Sequence, residues 1–223
     1  MRDARLPVVK VCCIASREEA HLAIAAGASA LGLVSAMPSG PGVIPDEQIA
    51  EIAATVPPPV ATFLLTSRQA ADAIIEQHRF CGTTTLQLVD HVAPAELRRL
   101  RTALPGIRIV QVIHVTGEES IEEAREVAPL VDALLLDSGN QRLPVKELGG
   151  TGRTHDWSLS RRIRDTAGTP VFLAGGLNAA NVGKAIRTVS PFGLDLCSGV
   201  RSAGRLDRGR LAEFFHAVGR SVP

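Results

Sequence analysis

The sequence predicts one closed (β/α)8 barrel domain over residues 1–223. Short apolar segments alternate with longer amphipathic ones along the whole chain, and eight such pairs follow one another. The apolar segments are nearly continuous in Val, Ile, Leu and Ala, as in parallel strands that are buried on both faces. No change in composition and no stretch rich in Pro, Gly and Ser divides the chain, so we expect a single domain.

Each predicted strand precedes a predicted helix. The strands are expected at residues 8–14, 28–35, 60–65, 84–89, 108–115, 133–137, 170–174 and 192–197. The helices are expected at residues 17–26, 46–56, 67–78, 94–103, 120–127, 157–166, 179–189 and 208–218. Pro45 suits the entry to the second helix, and Ser67 is expected to cap the third.

This strict alternation implies parallel pairing through right-handed crossovers. Eight units in a chain of this length fit the closed barrel, the TIM-barrel architecture, better than an open doubly wound sheet. The open sheet stays an alternative, although the first strand does not end in the GxGxxG motif of its dinucleotide-binding form.

The composition argues against several classes of protein. The hydrophobic content of 45% and charged content of 21% are typical of a soluble enzyme, and a net charge of +1 gives no general attraction to nucleic acid or membranes. Aromatic residues are too scarce for a base-stacking surface. The chain has no apolar run of transmembrane length and no leader at Met1, so we expect a cytoplasmic protein.

The four cysteines, Cys12, Cys13, Cys81 and Cys197, fit no zinc-binding spacing. We expect each of them to be reduced and buried as a small hydrophobic residue, and we expect no metal.

Glycines follow the last three predicted strands. Phosphate in such barrels often binds the loops after strands seven and eight, where backbone N–H groups are exposed. Gly175 and Gly176 follow strand seven, and Ser198 and Gly199 follow strand eight. These glycines could also serve only as tight turns, but two glycine loops on adjacent strand ends favour a phosphate site.

A third glycine-rich segment, Gly149, Gly150, Thr151 and Gly152, follows strand six. It could approach the ligand, which makes Gly150 and Gly152 candidate binding residues. It could also be a flexible lid without direct contact.

Several titratable residues lie within or at the ends of the predicted strands. Side-chain alternation places Lys10, Cys12 and Ile14 on one side of strand one, and Cys12 could face the pocket or be structural. Asp137 ends strand six, where it could be catalytic or cap a loop, because carboxylates are rarely buried unpaired. Asp195 interrupts strand eight and could hold a loop or pair with a cation. Lys10 is a candidate partner, or could project toward the substrate.

In chain order, these residues resemble the phosphoribosylanthranilate isomerase family of tryptophan biosynthesis. The first strand is similar to the family's V-K-I-C, residues 25–33 to its A-G-A-D-A-L-G, Gln87 and Leu88 to the start of its Q-L-H-G, and residues 193–200 to its G-V-D-V-S-S-G-V. Residues 149–157 match G-G-T-G-x-x-x-D-W and residues 174–178 match A-G-G-L-N. These last two blocks, in the right places, are specific together.

The resemblance implies an aldose–ketose isomerase, an intramolecular oxidoreductase that needs no cofactor and takes a phosphorylated sugar. The reaction is the Amadori rearrangement of N-(5′-phosphoribosyl)anthranilate. Asp137 would be the general acid that opens the furanose ring, and Cys12 the general base that takes the C2′ proton. Lys10 is a candidate for activating Cys12 as a thiolate. The sequence leaves a monomer and a homodimer open.

The chain departs from the family pattern at several positions. The S-P-R-Y motif after strand two reads Ser39-Gly40-Pro41-Gly42, so the arginine and tyrosine expected near the aglycone are absent. Cys13 replaces the glycine after the catalytic cysteine, Asp90 lies where Q-L-H-G ends, and Arg201 replaces an acidic residue.

These departures keep two alternatives open. One is an isomerase for another N-phosphoribosyl amine or aldose phosphate, with Arg201 or Arg153 as candidate replacements for the lost arginine. The other is a non-catalytic barrel that binds a sugar phosphate or a partner protein. Retention of Cys12 and Asp137 argues against the second alternative, because binding alone needs neither group.

Overall fold

The computed structural model describes residues 6–140, 143–150 and 152–221. Eight parallel strands close into a barrel in chain order, and β1 completes the circle by pairing with β8, which confirms the predicted fold. The strands are β1 Val8–Val11, β2 Ala30–Val34, β3 Ala61–Thr66, β4 Thr85–Leu88, β5 Arg108–His114, β6 Ala133–Asp137, β7 Val171–Leu173 and β8 Gly193–Leu196.

Helices connect the strands on the outside of the barrel. They are α1 Arg17–Ala25, α2 Asp46–Ala53, α3 Ala71–Cys81, α4 Pro94–Ala103, α5 Glu119–Val127, α6 Trp157–Thr166, α7 Val182–Val189 and α8 Arg208–Gly219. Short 3-10 turns lie at Ala128–Leu130 and Ser198–Val200, and a small hairpin of β9 Arg201–Ser202 and β10 Arg205–Leu206 precedes α8. No helix within the described ranges is long and apolar enough to cross a membrane.

Side-chain alternation along the strands divides the core into two layers. Leu134 and Leu136 of β6 point outward and pack in the layer between strands and helices, whereas Leu135 belongs to the cluster inside the barrel. The same period of two turns Asp137 and, on β8, Asp195 toward the barrel axis. The alternation thus places polar groups in the interior near the carboxyl ends of the strands.

The first strand does not keep this alternation to its predicted end. The prediction that Ile14 shares a side with Lys10 and Cys12 is wrong, because β1 ends at Val11 and Ile14 packs in the outer layer. The cause lies at Cys13, whose φ of 62° is in the left-handed region and interrupts the extended conformation on which the alternation depends.

The predicted cap of the third helix is also wrong. The hydroxyl of Ser67 donates to the carbonyl of Ala36, and α3 begins only at Ala71, whose N–H donates to Glu96 Oε2 at 2.6 Å. Similarly, α7 begins at Val182 rather than at residue 179. The side-chain oxygen of Asn178 accepts hydrogen bonds from the following N–H groups and forms a turn before the helix.

Candidate active site

One cavity opens at the carboxyl ends of the barrel strands. Eight of the ten predicted site residues line it: Cys12, Asp137, Gly150, Gly152, Gly175, Gly176, Asp195 and Ser198. The other two, Lys10 and Gly199, lie behind its wall. Thr151 of the glycine-rich loop lies outside the described residues.

Asp137 ends β6 and is only 9% exposed. Its Oδ1 accepts a hydrogen bond of 2.7 Å from the N–H of Ser138, and Gly149 lies directly beside Oδ2. Burial raises the pKa of Asp137 above its usual range, and this effect outweighs the hydrogen bond from the N–H of Ser138 and the influence of His114 and Lys10, which lower it. A carboxyl group with a raised pKa suits proton donation.

Lys10 and Asp195 form an ion pair beneath the cavity. Nζ of Lys10 lies 2.8 Å from Oδ1 of Asp195, and Lys10 is fully buried. Burial is the largest single effect and lowers the pKa of Lys10, but the charge and hydrogen bond of Asp195, together with Cys12 and Cys13, outweigh it, so the pKa lies above its usual value. Of the roles left open by the sequence, Lys10 therefore has that of the cation paired with Asp195.

Cys12 lies next to this ion pair. A β-carbon added to Gly32 would lie 2.7 Å from Sγ of Cys12 and 2.9 Å from Nζ of Lys10. Because both atoms lie within 3 Å of the same point, the sulfur of Cys12 and the ammonium nitrogen of Lys10 are close neighbours. The cysteine is 6% exposed and contributes to the cavity wall, so its thiol is next to both the cavity and a fixed positive charge.

His114 ends β5 beside Asp137 but does not line the cavity. Its Nε2 lies 3.0 Å from the carbonyl of Val89, and within the described residues Nδ1 has no hydrogen-bond partner. Because a carbonyl oxygen can only accept a hydrogen bond, Nε2 carries a proton in this arrangement. His114 thus supports the wall behind Asp137.

The loops after β6, β7 and β8 meet at one side of the cavity. A β-carbon on Gly176 would lie 2.8 Å from the carbonyl oxygen of Gly152, and one on Gly152 would lie 3.7 Å from Oγ of Ser198. Gly175 and Gly176 both have positive φ, and among the described loop contacts their N–H groups donate to no protein atom. These N–H groups and the Ser198 hydroxyl are available to an anion.

Gly199 has a packing role in this region. A β-carbon at this position would collide with the carbonyl of Leu177, so the absence of a side chain lets the β8 loop lie against the β7 loop. Asn181 fixes the β7 loop by donating from Nδ2 to the carbonyl of Gly176 at 2.9 Å. Gly199 therefore shapes this side of the cavity without lining it.

The loop after β2 closes the opposite side of the cavity. Gly42 lies against Cys13, and a β-carbon on Gly42 would lie 2.5 Å from Cβ of Cys13. Pro41 packs against Gly150, and its carbonyl lies 3.5 Å from Sγ of Cys13. The space next to residue 42 is therefore occupied by Cys13.

The two arginines considered as replacements are already engaged. Arg201 pairs with Glu19 and donates to the carbonyls of Cys12 and Cys13, which fixes the backbone at the end of β1. Arg153 pairs with Glu147. Arg201 thus fixes the backbone at Cys12 and Cys13, a role that the sequence did not reveal.

Two further contacts near the cavity were not predicted from the sequence. Lys146 of the β6 loop pairs with the buried Asp90 after β4 at 2.6 Å, and its carbonyl accepts from the hydroxyl of Ser39. The thiols of Cys13 and Cys197 lie 2.8 Å apart. No group of three or more potential metal-binding side chains occurs among the residues that the structure describes.

Comparisons with known proteins show which family the chain resembles. A family model described as N-(5'phosphoribosyl)anthranilate (PRA) isomerase matches residues 9–217. The N-(5'-phosphoribosyl)anthranilate isomerase of Methanocella arvoryzae is 34% identical over 207 residues, covering 93% of this chain and 95% of that protein. The protein of the same name from Haloferax volcanii is 38% identical over 197 residues, covering 88% and 85%.

A solved phosphoribosylanthranilate isomerase in complex with reduced 1-(o-carboxyphenylamino)-1-deoxyribulose 5-phosphate has a similar structure. Its TM-score is 0.80 at 26% identity, over 96% of this chain and 99% of that one. The predicted resemblance is confirmed, and the chain belongs to the N-(5'-phosphoribosyl)anthranilate isomerase family.

Proposed function

We propose that this protein converts N-(5′-phosphoribosyl)anthranilate to 1-(o-carboxyphenylamino)-1-deoxyribulose 5-phosphate. The observation that carries the proposal is the placement of Asp137 and Cys12 on the wall of one cavity, from strands that β7 and β8 separate. The rearrangement needs one group that donates a proton and another that accepts one. The cavity offers a carboxyl group and a thiol for these tasks.

Asp137 is the general acid in this proposal. Its buried carboxyl group, with its raised pKa, delivers a proton to the furanose ring oxygen. The C1′–O bond then breaks, and the nitrogen lone pair forms the C1′=N bond of a protonated Schiff base. The hydrogen bond from the N–H of Ser138 orients the carboxyl group throughout.

Cys12 is the general base. Its thiolate removes the C2′ proton, and the electron pair moves toward C1′ and neutralises the iminium nitrogen to give an enolamine. The ammonium group of Lys10 favours an anionic sulfur at this position, and Asp195 holds that ammonium group in place. Tautomerisation of the enolamine, with a proton returned to C1′, gives the ketose.

The loops after β7 and β8 hold the 5′-phosphate in this proposal. Supporting it, the N–H groups of Gly175 and Gly176 and the hydroxyl of Ser198 are arranged around the part of the cavity where the β6, β7 and β8 loops meet. Anchoring the phosphate there fixes the ribose between acid and base.

A second candidate is an isomerase for a different N-phosphoribosyl amine. The observation that favours it is the loop after β2, where Pro41 and Gly42 provide no cation for an aglycone carboxylate. Loss of such a charge-assisted contact costs about 1.5–3 kcal/mol.

A substrate comparison tests the proposal. Purified protein is mixed with freshly prepared phosphoribosylanthranilate, and loss of its fluorescence is followed beside the N-phosphoribosyl amine of aniline, which lacks the carboxylate. We expect turnover of phosphoribosylanthranilate with the higher kcat/KM. A higher kcat/KM for the aniline compound would favour the second candidate, and no turnover of either compound would contradict both.

A further inference from the structure

The end of β1 and the loop after β8 bring two thiols together at the cavity wall. Sγ of Cys13 and Sγ of Cys197 lie 2.8 Å apart although 184 positions separate them in the chain. A disulfide needs a sulfur–sulfur distance of about 2.05 Å, so the sulfur atoms have to approach by less than about 1 Å. Neither thiol has a step in the proposed mechanism.

We infer that Cys13 and Cys197 form a reversible disulfide that inactivates the enzyme, with a low-molecular-weight disulfide such as oxidised glutathione as the oxidant. The inference rests on the proposed function only for its effect on activity. The thiol pair and its reactivity are independent of the substrate.

An oxidant can reach this pair. Cys197 is partly exposed, and both cysteines line not only the active-site cavity but also a second opening beside Arg201 and Gly204. Cys81, by contrast, is buried at the end of α3 within the outer core. The accessible thiols are therefore those near the active site.

The local chemistry makes Cys197 the first thiol to react. The pKa of Cys197 is lowered because its hydrogen-bond contact with the thiol of Cys13 and the positive charge of Arg201 favour the thiolate, and these effects outweigh burial. The pKa of Cys13 is raised because hydrogen bonds to Cys12 and Cys197, together with burial, favour its protonated form. Cys197 is thus the better source of thiolate.

The exchange proceeds in two balanced steps. The Cys197 thiolate attacks the oxidant disulfide, forms a mixed disulfide and releases one thiolate. Cys13 then loses its proton and attacks Sγ of Cys197, which releases the second thiol. Two protein thiols are oxidised to one disulfide, and one small disulfide is reduced to two thiols.

The new bond joins elements that the reaction uses. Cys13 follows the proposed base Cys12, and Cys197 precedes Ser198 of the proposed phosphate site. Drawing the two sulfur atoms together displaces both segments, and displacements near 1 Å cost about a hundredfold in rate when they misalign reacting groups.

The test compares wild-type protein with Cys13→Gly, Cys197→Ala and, as a matched control, Cys81→Ala. Each protein is incubated with oxidised glutathione and then with dithiothreitol, and its activity is expressed relative to its own reduced form. Trypsin digestion separates residues 11–17 from residues 188–201, so a crosslink between these peptides identifies the bond by mass.

We expect this crosslink in wild type and in Cys81→Ala, with a tenfold to hundredfold loss of activity that dithiothreitol reverses, as the size of the displacement suggests. Cys13→Gly and Cys197→Ala are expected to lack the crosslink and resist inactivation. The inference is overturned if wild type carries no such crosslink, if Cys13→Gly still forms it through Cys12, or if the crosslinked protein keeps its activity. Should the protein prove inactive on phosphoribosylanthranilate, the crosslink and the loss of thermal stabilisation by inorganic phosphate still decide the inference.

Discussion

Cys13 and Gly42 share one space at the barrel mouth, since a β-carbon added to Gly42 would lie 2.5 Å from Cβ of Cys13 and 3.1 Å from its Sγ. The family motifs that the chain resembles have the reverse arrangement, with glycine after the catalytic cysteine and a tyrosine in the β2 loop. The two departures therefore compensate for each other, because the side chain of Cys13 occupies the space that the missing side chain at residue 42 leaves free. Cys13 accepts a left-handed φ of 62° in this arrangement, at a cost of about 1–2 kcal/mol.

This exchange predicts strong coupling between the two positions. Gly42→Ala alone is expected to destabilise the protein by about 2–4 kcal/mol, because its β-carbon collides with Cys13 and residue 42 has φ of 78°. In the Cys13→Gly background the collision with the side chain is removed, and the cost of the positive φ and of the 2.9 Å approach to Cα of residue 13 remains. Chemical denaturation of the four proteins should give a coupling free energy of about 1–2 kcal/mol, whereas additive effects would contradict the shared-space account.

Asp137→Asn is predicted to lower kcat strongly and to change the pH dependence of stability. Because the pKa of Asp137 is raised in the folded protein, the contribution of this group to the free energy of unfolding is complete at acid pH. The contribution is lost as the pH rises through the folded-state pKa. The asparagine variant lacks this loss, so its Tm relative to wild type should rise with pH. Thermal unfolding between about pH 4 and 9 measures the difference, which is about 1.4 kcal/mol per unit of pKa shift.

Asp132 provides the control with the opposite sign. Although burial tends to raise its pKa, hydrogen bonds from the N–H of Ile109 and from Arg101 and Arg108 lower it. Asp132 therefore loses its stabilising effect as pH falls through its folded-state pKa. Asp132→Asn should remove a loss of stability at acid pH, and a similar pH trend in both variants would contradict the assignment for Asp137.

Lys10→Met is predicted to reduce the free energy of unfolding by about 3–5 kcal/mol, because it leaves the Asp195 carboxylate buried without its cation. Replacing both residues, Lys10→Met with Asp195→Leu, should recover most of this stability. Activity should remain low in the double variant, because the positive charge beside Cys12 is still absent. A double variant that regains both stability and activity would show that the ion pair only supports the fold.

The ion pair between Lys146 and Asp90 is predicted to hold the β6 loop over the cavity. Lys146→Met should cost about 1–3 kcal/mol, because Asp90 is buried, and should speed amide hydrogen exchange at residues 143–150. Arg125→Met is the matched control, because its pair with Glu122 is exposed and should contribute less than about 1 kcal/mol. Equal effects of the two variants would mean that the pair has no special role at the mouth.

The sequence predicted the order of the strands, which follows from the repeated strand–helix units. The inward orientation of Asp137 and Asp195 follows from alternation along β6 and β8, whereas the sequence left the roles of both aspartates open. Ile14 was placed wrongly because the φ of Cys13 breaks that period, and a non-glycine residue gives no sign of a left-handed conformation.

Contacts between residues of different loops could not be predicted from the sequence. Lys146 and Asp90 are 56 positions apart, and Arg201 and Cys13 are 188 apart. Their proximity depends on how the chain runs after each strand, which local patterns do not specify. The same holds for Cys197, whose predicted role as a buried hydrophobic residue did not anticipate its contact with Cys13.

The most direct test of the account is kcat for phosphoribosylanthranilate in wild type, Cys12→Ser, Asp137→Asn and the double variant. Each single change is expected to lower kcat by about 10²–10⁴, and the double variant should lose little more, because acid and base act on one substrate. Inorganic phosphate should still raise the Tm of all four proteins. Full turnover in either single variant, at an unchanged response to phosphate, would contradict the assignment of Cys12 and Asp137 as base and acid.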